Sequence, residues 1–167
     1  MRVGNKKQEA RSKTGLTLRD YLPADFDALL ALDQQCFVEG IAYTAVELSH
    51  YIQRRGSFTI VAERVSGNES RGGAIAGFVV GHMQRDYGWI VTIDTRAEAR
   101  RSGLGTRLMA AAEERLRDAG AVAIVLEVAV NNLPAVKFYK RLGYTITRTI
   151  PRYYLDSLDA FQMAKRF

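Results

Sequence analysis

A basic turn with two glycines, lying between a strand pattern and a helix pattern, constrains the fold of this chain most. Residues 100–105 read Arg-Arg-Ser-Gly-Leu-Gly and follow the apolar run Trp89 to Ile93. From Gly103 onward, apolar residues recur every four positions, which is typical of one helix face: Leu104, Leu108, Ala112 and Leu116. The pattern predicts a strand, a tight turn and a helix in direct succession.

The chemistry of this turn favours an anion. The first amides of a helix have no partner inside the helix, and the helix dipole attracts negative charge there. Gly103 and Gly105 allow close approach of the backbone to a ligand, while Arg100 and Arg101 supply charge. We predict a phosphate-binding turn; a plain helix start with a surface arginine pair is the alternative. The turn lacks the ending of a P-loop and the third glycine of a dinucleotide fingerprint, so the phosphate stays unidentified.

Length and composition set modest bounds. A chain of 167 residues with 47% hydrophobic residues is most simply one domain. No apolar stretch approaches the roughly 18 residues of a membrane span, and the polar N-terminus does not resemble a signal peptide. The single cysteine, Cys36, excludes an internal disulfide and fits a reducing cytoplasm. Its apolar context predicts a buried structural thiol rather than a nucleophile.

The net charge of +6 is concentrated at the N-terminus. Residues 1–15 carry five Lys and Arg against one Glu, which accounts for +4 of the total. We interpret residues 1–15 as a flexible basic tail and residues 16–167 as a single domain. Since that domain is nearly neutral, no nucleic-acid partner is expected.

The remaining chain alternates between strand and helix patterns without an internal linker. Strands are expected at 16–21, 58–64, 74–84, 89–93, 121–130, 144–149 and 161–165, with a polar turn at 66–73. Helices are expected at 23–36, 44–51, 103–120 and 134–142, with Thr44 and Glu47 forming a capping box. Pro151 predicts that its strand ends there or lies at a sheet edge. His50 and His82 show no metal-ligand spacing, so no metal site is predicted.

A second motif follows the long helix. It comprises a strand and a helix start: Glu127-Val128-Ala129-Val130-Asn131-Asn132, Ala135, Phe138-Tyr139 and Leu142-Gly143-Tyr144. Together with the glycine turn it resembles the GNAT acetyltransferases over about residues 16–167, most specifically in the second half. The resemblance implies an α/β fold with a mixed, mostly antiparallel sheet of about six or seven strands flanked by about four helices. It also implies that the turn holds the pyrophosphate of acetyl-coenzyme A.

Within that superfamily, the chain is most similar to bacterial ribosomal-protein N-terminal alanine acetyltransferases. Leu126-Glu127-Val128 is followed by Asn132 five residues after the glutamate and by Tyr139 twelve residues after it, as in that subgroup. The sequence departs from the pattern at three positions. Ala129 replaces an arginine, Asn131 replaces a serine, and Thr95 replaces a proline in a stretch about two residues longer than usual. These departures leave the coenzyme site intact and the acceptor open.

The resemblance implies a catalytic role for Glu127 and Tyr139. Glu127 lies in an apolar strand, where a carboxylate is costly without a task or partners, and it is expected to remove the amine proton. Its alternative role is a strand carboxylate paired with a nearby Lys or Arg. Tyr139 is expected to protonate the leaving thiolate, since ordinary phenol and thiol pKa values differ by only about 1.5 units. Its alternative role is a core aromatic.

The resemblance also implies a coenzyme site between the fourth and fifth strands. In this superfamily the two strands splay apart and the pantetheine arm inserts between them, which requires a bulge. The backbone of Ile93 and Thr95 would supply amides to the arm and the thioester oxygen. Asn132 is expected to bond the coenzyme, with a helix N-cap as the alternative. The expected coenzyme residues are therefore Ile93, Thr95, Arg100, Arg101, Ser102, Gly103, Leu104, Gly105, Thr106 and Asn132.

The acceptor is expected to be an amine, most simply a protein N-terminal α-amine. Its pKa of about 8, against about 10.4 for lysine, suits a single carboxylate base. Tyr43, Tyr153 and Tyr154 are predicted walls of its groove. A small-molecule or amino-acid N-acetyltransferase and a non-catalytic coenzyme A-binding module are the alternatives. Direct transfer is favoured because Cys36 is distant in sequence and no Ser-His pair is evident. The chain is expected to be a monomer or a homodimer.

Overall fold

The computed structural model describes residues 15–65 and 73–167. These residues form seven strands and four helices, so the predicted α/β fold class is confirmed. The strands are β1 Leu16–Asp20, β2 Ser57–Arg64, β3 Ile75–Gln84, β4 Tyr87–Thr95, β5 Ala123–Ala129, β6 Thr145–Tyr154 and β7 Leu158–Arg166. The helices are α1 Phe26–Cys36, α2 Ala45–Gln53, α3 Leu104–Asp118 and α4 Leu133–Arg141. Nearly all of the predicted tail at 1–15 and of the predicted turn at 66–73 lies outside the described residues.

The strands form one sheet in the order β1-β2-β3-β4-β5-β7-β6. Every neighbouring pair is antiparallel except β4 and β5, which are parallel. β6 is an edge strand, as Pro151 predicts, because proline has no N–H to donate to a second neighbour. The strand nevertheless continues past Pro151, with a register shift between Ile150 and Tyr154.

The parallel pair β4–β5 separates after three residues. Only Tyr87–Trp89 pairs with Ala123–Val125, and beyond that point the two strands diverge. A bulge in β4 accompanies the divergence: Val80 pairs with Thr92 whereas Gly81 pairs with Ile90, which leaves an extra residue in β4. Such a bulge changes the face to which the following side chains point. The gap and the bulge create an opening through the sheet.

The helices cover both faces of the sheet. One core contains the apolar residues of α3 and α4 with one side of the strands: Leu104, Leu108, Met109, Ala112, Leu116, Val136, Val79, Ile124, Leu126 and Val128. The other core contains residues of α1 and α2 with the opposite side: Leu29, Leu32, Leu48, Val61, Phe78 and Val80. The gap between β4 and β5 therefore connects the α3–α4 side of the sheet with the α1–α2 side.

Helix ends agree with their local sequence signals. α2 begins with the predicted capping box, in which Thr44 accepts from the Glu47 amide and the Glu47 carboxylate accepts from the Thr44 amide. After α3 and α4 the chain reverses at Gly120 and Gly143, both at positive φ.

None of the helices in the described ranges is long and apolar enough to cross a membrane.

Candidate functional site

A cavity of about 450 Å³ lies where β4 and β5 diverge. Its walls are the facing edges of the two strands (residues 90–93 and 126–129), the start of α4, the segment after α1, and the end of β6. Pockets of this size accommodate part of a cofactor or a small ligand. The cavity is thus formed by the break in the sheet rather than by a surface cleft.

Glu127 lies at the cavity wall on the β5 edge. It alternates along the strand with Leu126 and Val128, which face α3 and α4, so its side chain points to the α1–α2 layer. Its carboxylate accepts hydrogen bonds from the Tyr153 hydroxyl and, at 3.4 Å, from Gln162 Nε2. Among the residues that the structure describes, no Lys or Arg pairs with Glu127. The alternative role as an ion-paired strand carboxylate therefore has no support within this part of the chain.

Tyr139 reaches the same cavity from α4. Its ring packs against Phe138 and Tyr144, and the residue is only 9% exposed, as expected of the core aromatic proposed as its alternative role. Its hydroxyl has no hydrogen-bond partner within the described ranges 15–65 and 73–167. Burial raises the pKa of Tyr139 well above its ordinary value, and any negative charge on the nearby Asp94 raises it further. The phenol is therefore a buried, protonated donor without a protein acceptor.

The raised pKa of Tyr139 changes the expected proton transfer. The ordinary pKa values of a phenol and a thiol differ by about 1.5 units. Burial raises the pKa of Tyr139 and so increases this difference. A full proton transfer from Tyr139 is correspondingly less favourable. A hydrogen bond to developing negative charge in the cavity is unaffected, because that bond needs only the neutral phenol.

Asn132 caps the start of α4, which was its predicted alternative role, and it also lines the cavity. It is the N-cap of α4, where its side chain accepts from the Ala135 amide at 3.3 Å. The cap is therefore confirmed. Because the cap uses only the side-chain oxygen, the amide nitrogen of Asn132 remains available for a ligand in the cavity that the residue lines.

The glycine turn leads from β4 into α3 at the edge of the cavity. Gly103 has φ +79° and open space around it, and Arg101 also has positive φ. A Cβ at Gly105 would lie 3.3 Å from Phe138 Cζ, so this glycine allows α3 and α4 to approach closely. The first helical hydrogen bond runs from the Arg107 amide to the Gly103 carbonyl.

Among the described residues, the amides of the turn make no hydrogen bond of good geometry to the backbone. No acceptor for the backbone N–H groups of residues 101–106 is found among the described residues. The side chains of Arg100, Arg101 and Ser102 are exposed, whereas that of Leu104 is buried in the core, so Leu104 can contribute only its backbone. A row of free amides at a helix start beside two arginines suits a phosphate group.

Two of the three predicted acceptor-site tyrosines line the cavity. Tyr43 and Tyr154 are in its wall, whereas Tyr153 lies outside it and contacts the site through Glu127. The Tyr43 hydroxyl donates to the Val91 carbonyl at 3.4 Å, and burial raises the pKa of Tyr43 strongly. Burial also raises the pKa of Tyr154 to about 12. These phenols are neutral hydrogen-bonding groups in the ordinary pH range.

The structure corrects the prediction for Cys36. The thiol is half-buried rather than buried, it lines the cavity, and it lies 3.5 Å from the Thr95 carbonyl, to which it donates. The argument from its distance in sequence is therefore wrong, because α1 ends at the cavity rim. Burial and the nearby Asp94 raise the pKa of Cys36, which keeps the thiol protonated and weakly nucleophilic.

Sequence reasoning missed several residues at or beside the site. Phe37, Val38 and Ile41, from the segment between α1 and α2, form an apolar part of the cavity wall. Asp33 and Asp94 are fully buried carboxyls behind that wall. A signal existed for Asp33, because it shares the buried face of α1 with Leu29, where a charged residue is unusual.

The chain is similar to proteins of known kind. Residues 26–144 match the acetyltransferase (GNAT) family. An N-alpha-acetyltransferase of Sulfurisphaera tokodaii is 37% identical over 78 residues, which cover 46% of this chain and 47% of that protein. The matches to the first curated relatives span about half to three fifths of the length of those relatives.

Solved structures extend the likeness over the whole domain. The crystal structure of Ard1 from Thermoplasma volcanium has a TM-score of 0.78 and 28% identity, covering 91% of this chain and 97% of that chain. A nourseothricin acetyltransferase has a TM-score of 0.72 and 27% identity, covering 92% and 99%. The family match spans more than half of the sequence, and this chain therefore belongs to the acetyltransferase (GNAT) family.

Proposed function

We propose that this protein transfers the acetyl group of acetyl-coenzyme A directly to an amine, and that the amine is a protein N-terminal α-amine. The observation that carries the proposal is the cavity between the diverging ends of β4 and β5, which brings Glu127 and Tyr139 to one space. A carboxylate and a neutral phenol in one cavity can remove a proton at one point and donate a hydrogen bond at another.

The coenzyme enters from the α3–α4 side in this proposal. Its pyrophosphate is bound by the free amides of residues 101–106 and by Arg100 and Arg101. Its pantetheine arm lies along the β4 edge, taking the place of the missing strand pairing. The Val91 and Thr95 carbonyls accept from side chains beyond the strand ladder, so the amides on this edge, including those of Ile93 and Thr95, face the gap.

The acceptor enters from the α1–α2 side. Glu127 points to this layer, as does the wall containing Tyr43. The amine nitrogen attacks the thioester carbon, Glu127 takes the amine proton directly or through a water molecule, and the carbon–sulfur bond breaks. Tyr139 donates a hydrogen bond to the departing sulfur. No enzyme nucleophile is required, and the protonated Cys36 thiol does not offer one.

An extended chain end fits the acceptor side better than a compact polar amine. The wall is aromatic and apolar, with Phe37, Ile41 and Tyr43 on one side and Tyr154 on the other. Exposed Val38 and Leu155 continue this apolar surface at the rim. Relatives named N-alpha-acetyltransferases support the same acceptor. The single cysteine, which has no disulfide partner, is consistent with a cytoplasmic location.

A small-molecule acceptor is the second candidate. The similarity to a nourseothricin acetyltransferase, at 27% identity, is nearly as high as the similarity to Ard1. A panel of N-terminal peptides, free amino acids, polyamines and an aminoacyl antibiotic, assayed by thiol release, separates the two. Highest kcat/KM on peptides supports the proposal, and highest kcat/KM on small amines refutes its acceptor. Tight binding of acetyl-coenzyme A without turnover on any amine identifies a non-catalytic binding module.

Replacing both arginines of the turn is expected to weaken coenzyme binding. In the double variant Arg100→Ala/Arg101→Ala, the loss of charge-assisted contacts should raise the Kd for coenzyme A at least tenfold, or about 1.4 kcal/mol. Titration calorimetry measures the change, and the difference should shrink at high salt. Arg117→Ala, at the opposite end of α3 beside Phe167, is the matched control and should bind like wild type. Equal affinity in the two variants would contradict the assignment of the turn.

A further inference from the structure

Two buried carboxyl groups face each other behind the cavity. Asp33 of α1 is 0% exposed and Asp94 of β4 is 1% exposed. The two carboxyls interact across the boundary between helix and sheet, and Asp33 Oδ1 is buried without a hydrogen-bond partner among the described residues. The bulge in β4 accounts for this approach, since it turns the side chain of Asp94 toward the α1 layer.

The two carboxyls need to share one proton, because otherwise both would be charged and neither could donate a hydrogen bond to the other. Asp33 Oδ2 accepts from the Tyr43 amide at 2.7 Å, whereas Asp33 Oδ1 has no donor among the described residues if both carboxyls are ionised. Two carboxylates cannot donate to each other, and two adjacent buried charges are costly. Burial raises the pKa of Asp94 well above its ordinary value, and the neighbouring Asp33 raises it further. A proton held mainly by Asp94 supplies the donor that Asp33 Oδ1 lacks.

The pair connects the two halves of the site. Through the Tyr43 amide, Asp33 holds the segment of residues 37–44, which contributes Phe37, Ile41 and Tyr43 to the acceptor wall. Asp94 lies between Ile93 and Thr95 on the β4 edge proposed to hold the coenzyme. Its carboxyl also accepts from Thr92 Oγ1 at 3.4 Å, which orients it within the strand.

We propose that Asp33 and Asp94 are positioning residues which, by sharing one proton, hold the acceptor wall at a set distance from the coenzyme-binding edge of β4. This inference rests on the proposed function. The pair does not touch either substrate; it determines where Tyr43 and the residues before it stand relative to the thioester. Loss of the shared proton would place two charges in contact, and the acceptor wall would separate from β4.

Other charged and titratable groups act on the pair from neighbouring elements. Arg100, in the turn before α3, attracts the charge of Asp94, whereas Glu47 of α2 repels that of Asp33. Cys36 at the end of α1 and Tyr139 of α4 lie near Asp94, and their raised pKa values keep both groups neutral. Arg100 favours ionisation of the pair, whereas Glu47 opposes it. The binding of a coenzyme phosphate to Arg100 would therefore strengthen retention of the proton.

The positioning role is tested by the separate effects on KM and kcat. Asp33→Ala and Asp94→Ala are each expected to raise the acceptor KM about tenfold, or about 1.4 kcal/mol, with a smaller change in kcat and in coenzyme Kd. Asp94→Asn keeps a donor facing Asp33 and should restore most of the acceptor affinity. Asp25→Ala is the matched control, because Asp25 is also buried but pairs with Arg19 at the far end of α1. It should lower stability without raising KM.

The shared proton is tested separately by thermal and urea unfolding without substrates. The folded pair has a raised pKa, so above about pH 4 the unfolded chain loses a proton that the folded chain keeps, and stability falls as pH rises. Asp94→Asn has no such proton. The unfolding equilibrium constant of wild type, divided by that of Asp94→Asn, should therefore increase by up to about tenfold per pH unit from pH 4 until the pH reaches the raised pKa of the folded pair. Parallel pH profiles would overturn the shared proton.

The outcomes separate this inference from the proposed function. A wild-type enzyme without turnover on any amine refutes the proposed function, and the positioning role with it. An active wild type with unchanged acceptor KM in both alanine variants refutes the positioning role alone. An acceptor KM that rises equally in Asp25→Ala also refutes the positioning role, because the rise would then result from a general loss of stability.

Discussion

Tyr139→Phe is expected to lower kcat by about a hundredfold, the typical cost of losing one positioned hydrogen-bond donor to a developing charge, while coenzyme affinity and stability stay close to wild type. The ring remains in place against Phe138 and Tyr144, so the core is unchanged. Only the hydroxyl is lost, and this hydroxyl has no hydrogen-bond partner in the part of the chain that the structure describes. Its removal therefore leaves no protein group without a partner.

The physical reason for the loss is the charge that develops on sulfur. As the carbon–sulfur bond breaks, negative charge forms on the sulfur, and a donor already positioned in the cavity stabilises that charge. Because burial raises the pKa of Tyr139 well above its ordinary value, the phenol stays neutral across the usual assay range. Wild-type kcat should accordingly show no alkaline decline from ionisation of Tyr139 below about pH 10.

The measurement is steady-state kinetics with calorimetric binding of coenzyme A. Tyr144→Phe is the matched control: Tyr144 is also buried, but its hydroxyl donates to Glu113 at 3.0 Å, away from the cavity. That variant should lose about 1 kcal/mol of stability, the usual net value of one hydrogen bond, and keep its kcat. A Tyr139→Phe enzyme with wild-type kcat would remove Tyr139 as the donor.

Glu127→Gln should lower kcat/KM by about a hundredfold near pH 6.5, and by progressively less as the pH approaches 9. Below its pKa of about 8 an α-amine is mostly charged, so a base is needed to remove the proton. At higher pH the free amine is abundant and requires less help. The pH dependence of kcat/KM in wild type and variant measures the effect. A loss that is the same at every pH would assign Glu127 a positioning role instead.

The control for Glu127 is the residue that donates to it. The Tyr153 hydroxyl bonds the Glu127 carboxylate, and burial together with this carboxylate raises the pKa of Tyr153 strongly. Tyr153→Phe keeps the carboxylate and removes one of its two donors, with Gln162 left in place. We expect a change of less than about tenfold, without the pH dependence of Glu127→Gln. A loss equal to that of Glu127→Gln would make the Tyr153–Glu127 pair the functional unit.

The glycine turn shows why local signals carried much of the prediction. A strand of alternating burial, a turn with Gly103 at positive φ and a helix with apolar residues every four positions all lie within residues 87–118, so local sequence determines them. The same holds for the capping box of Thr44 and Glu47 and for the edge position of Pro151. In each case a backbone conformation or a missing donor restricts the structure locally.

Cys36 and the aspartate pair show where such signals end. The thiol lies far from the second motif along the chain but lines the same cavity, because the end of α1 packs beside the β4 edge. Asp33 and Asp94 lie far apart in the sequence, and their contact depends on the bulge that reorients β4. No local pattern encodes the register of two distant elements.

The amino-acid order alone determined the succession of elements, the glycine turn before α3 and the residue types able to move a proton, since these follow from propensity, periodicity and side-chain chemistry. The tertiary structure decided that β4 and β5 separate after three residue pairs, and that Glu127 and Tyr139 approach one cavity from opposite layers. The physical reason is that strand divergence results from packing of both faces of the sheet against helices distant in sequence.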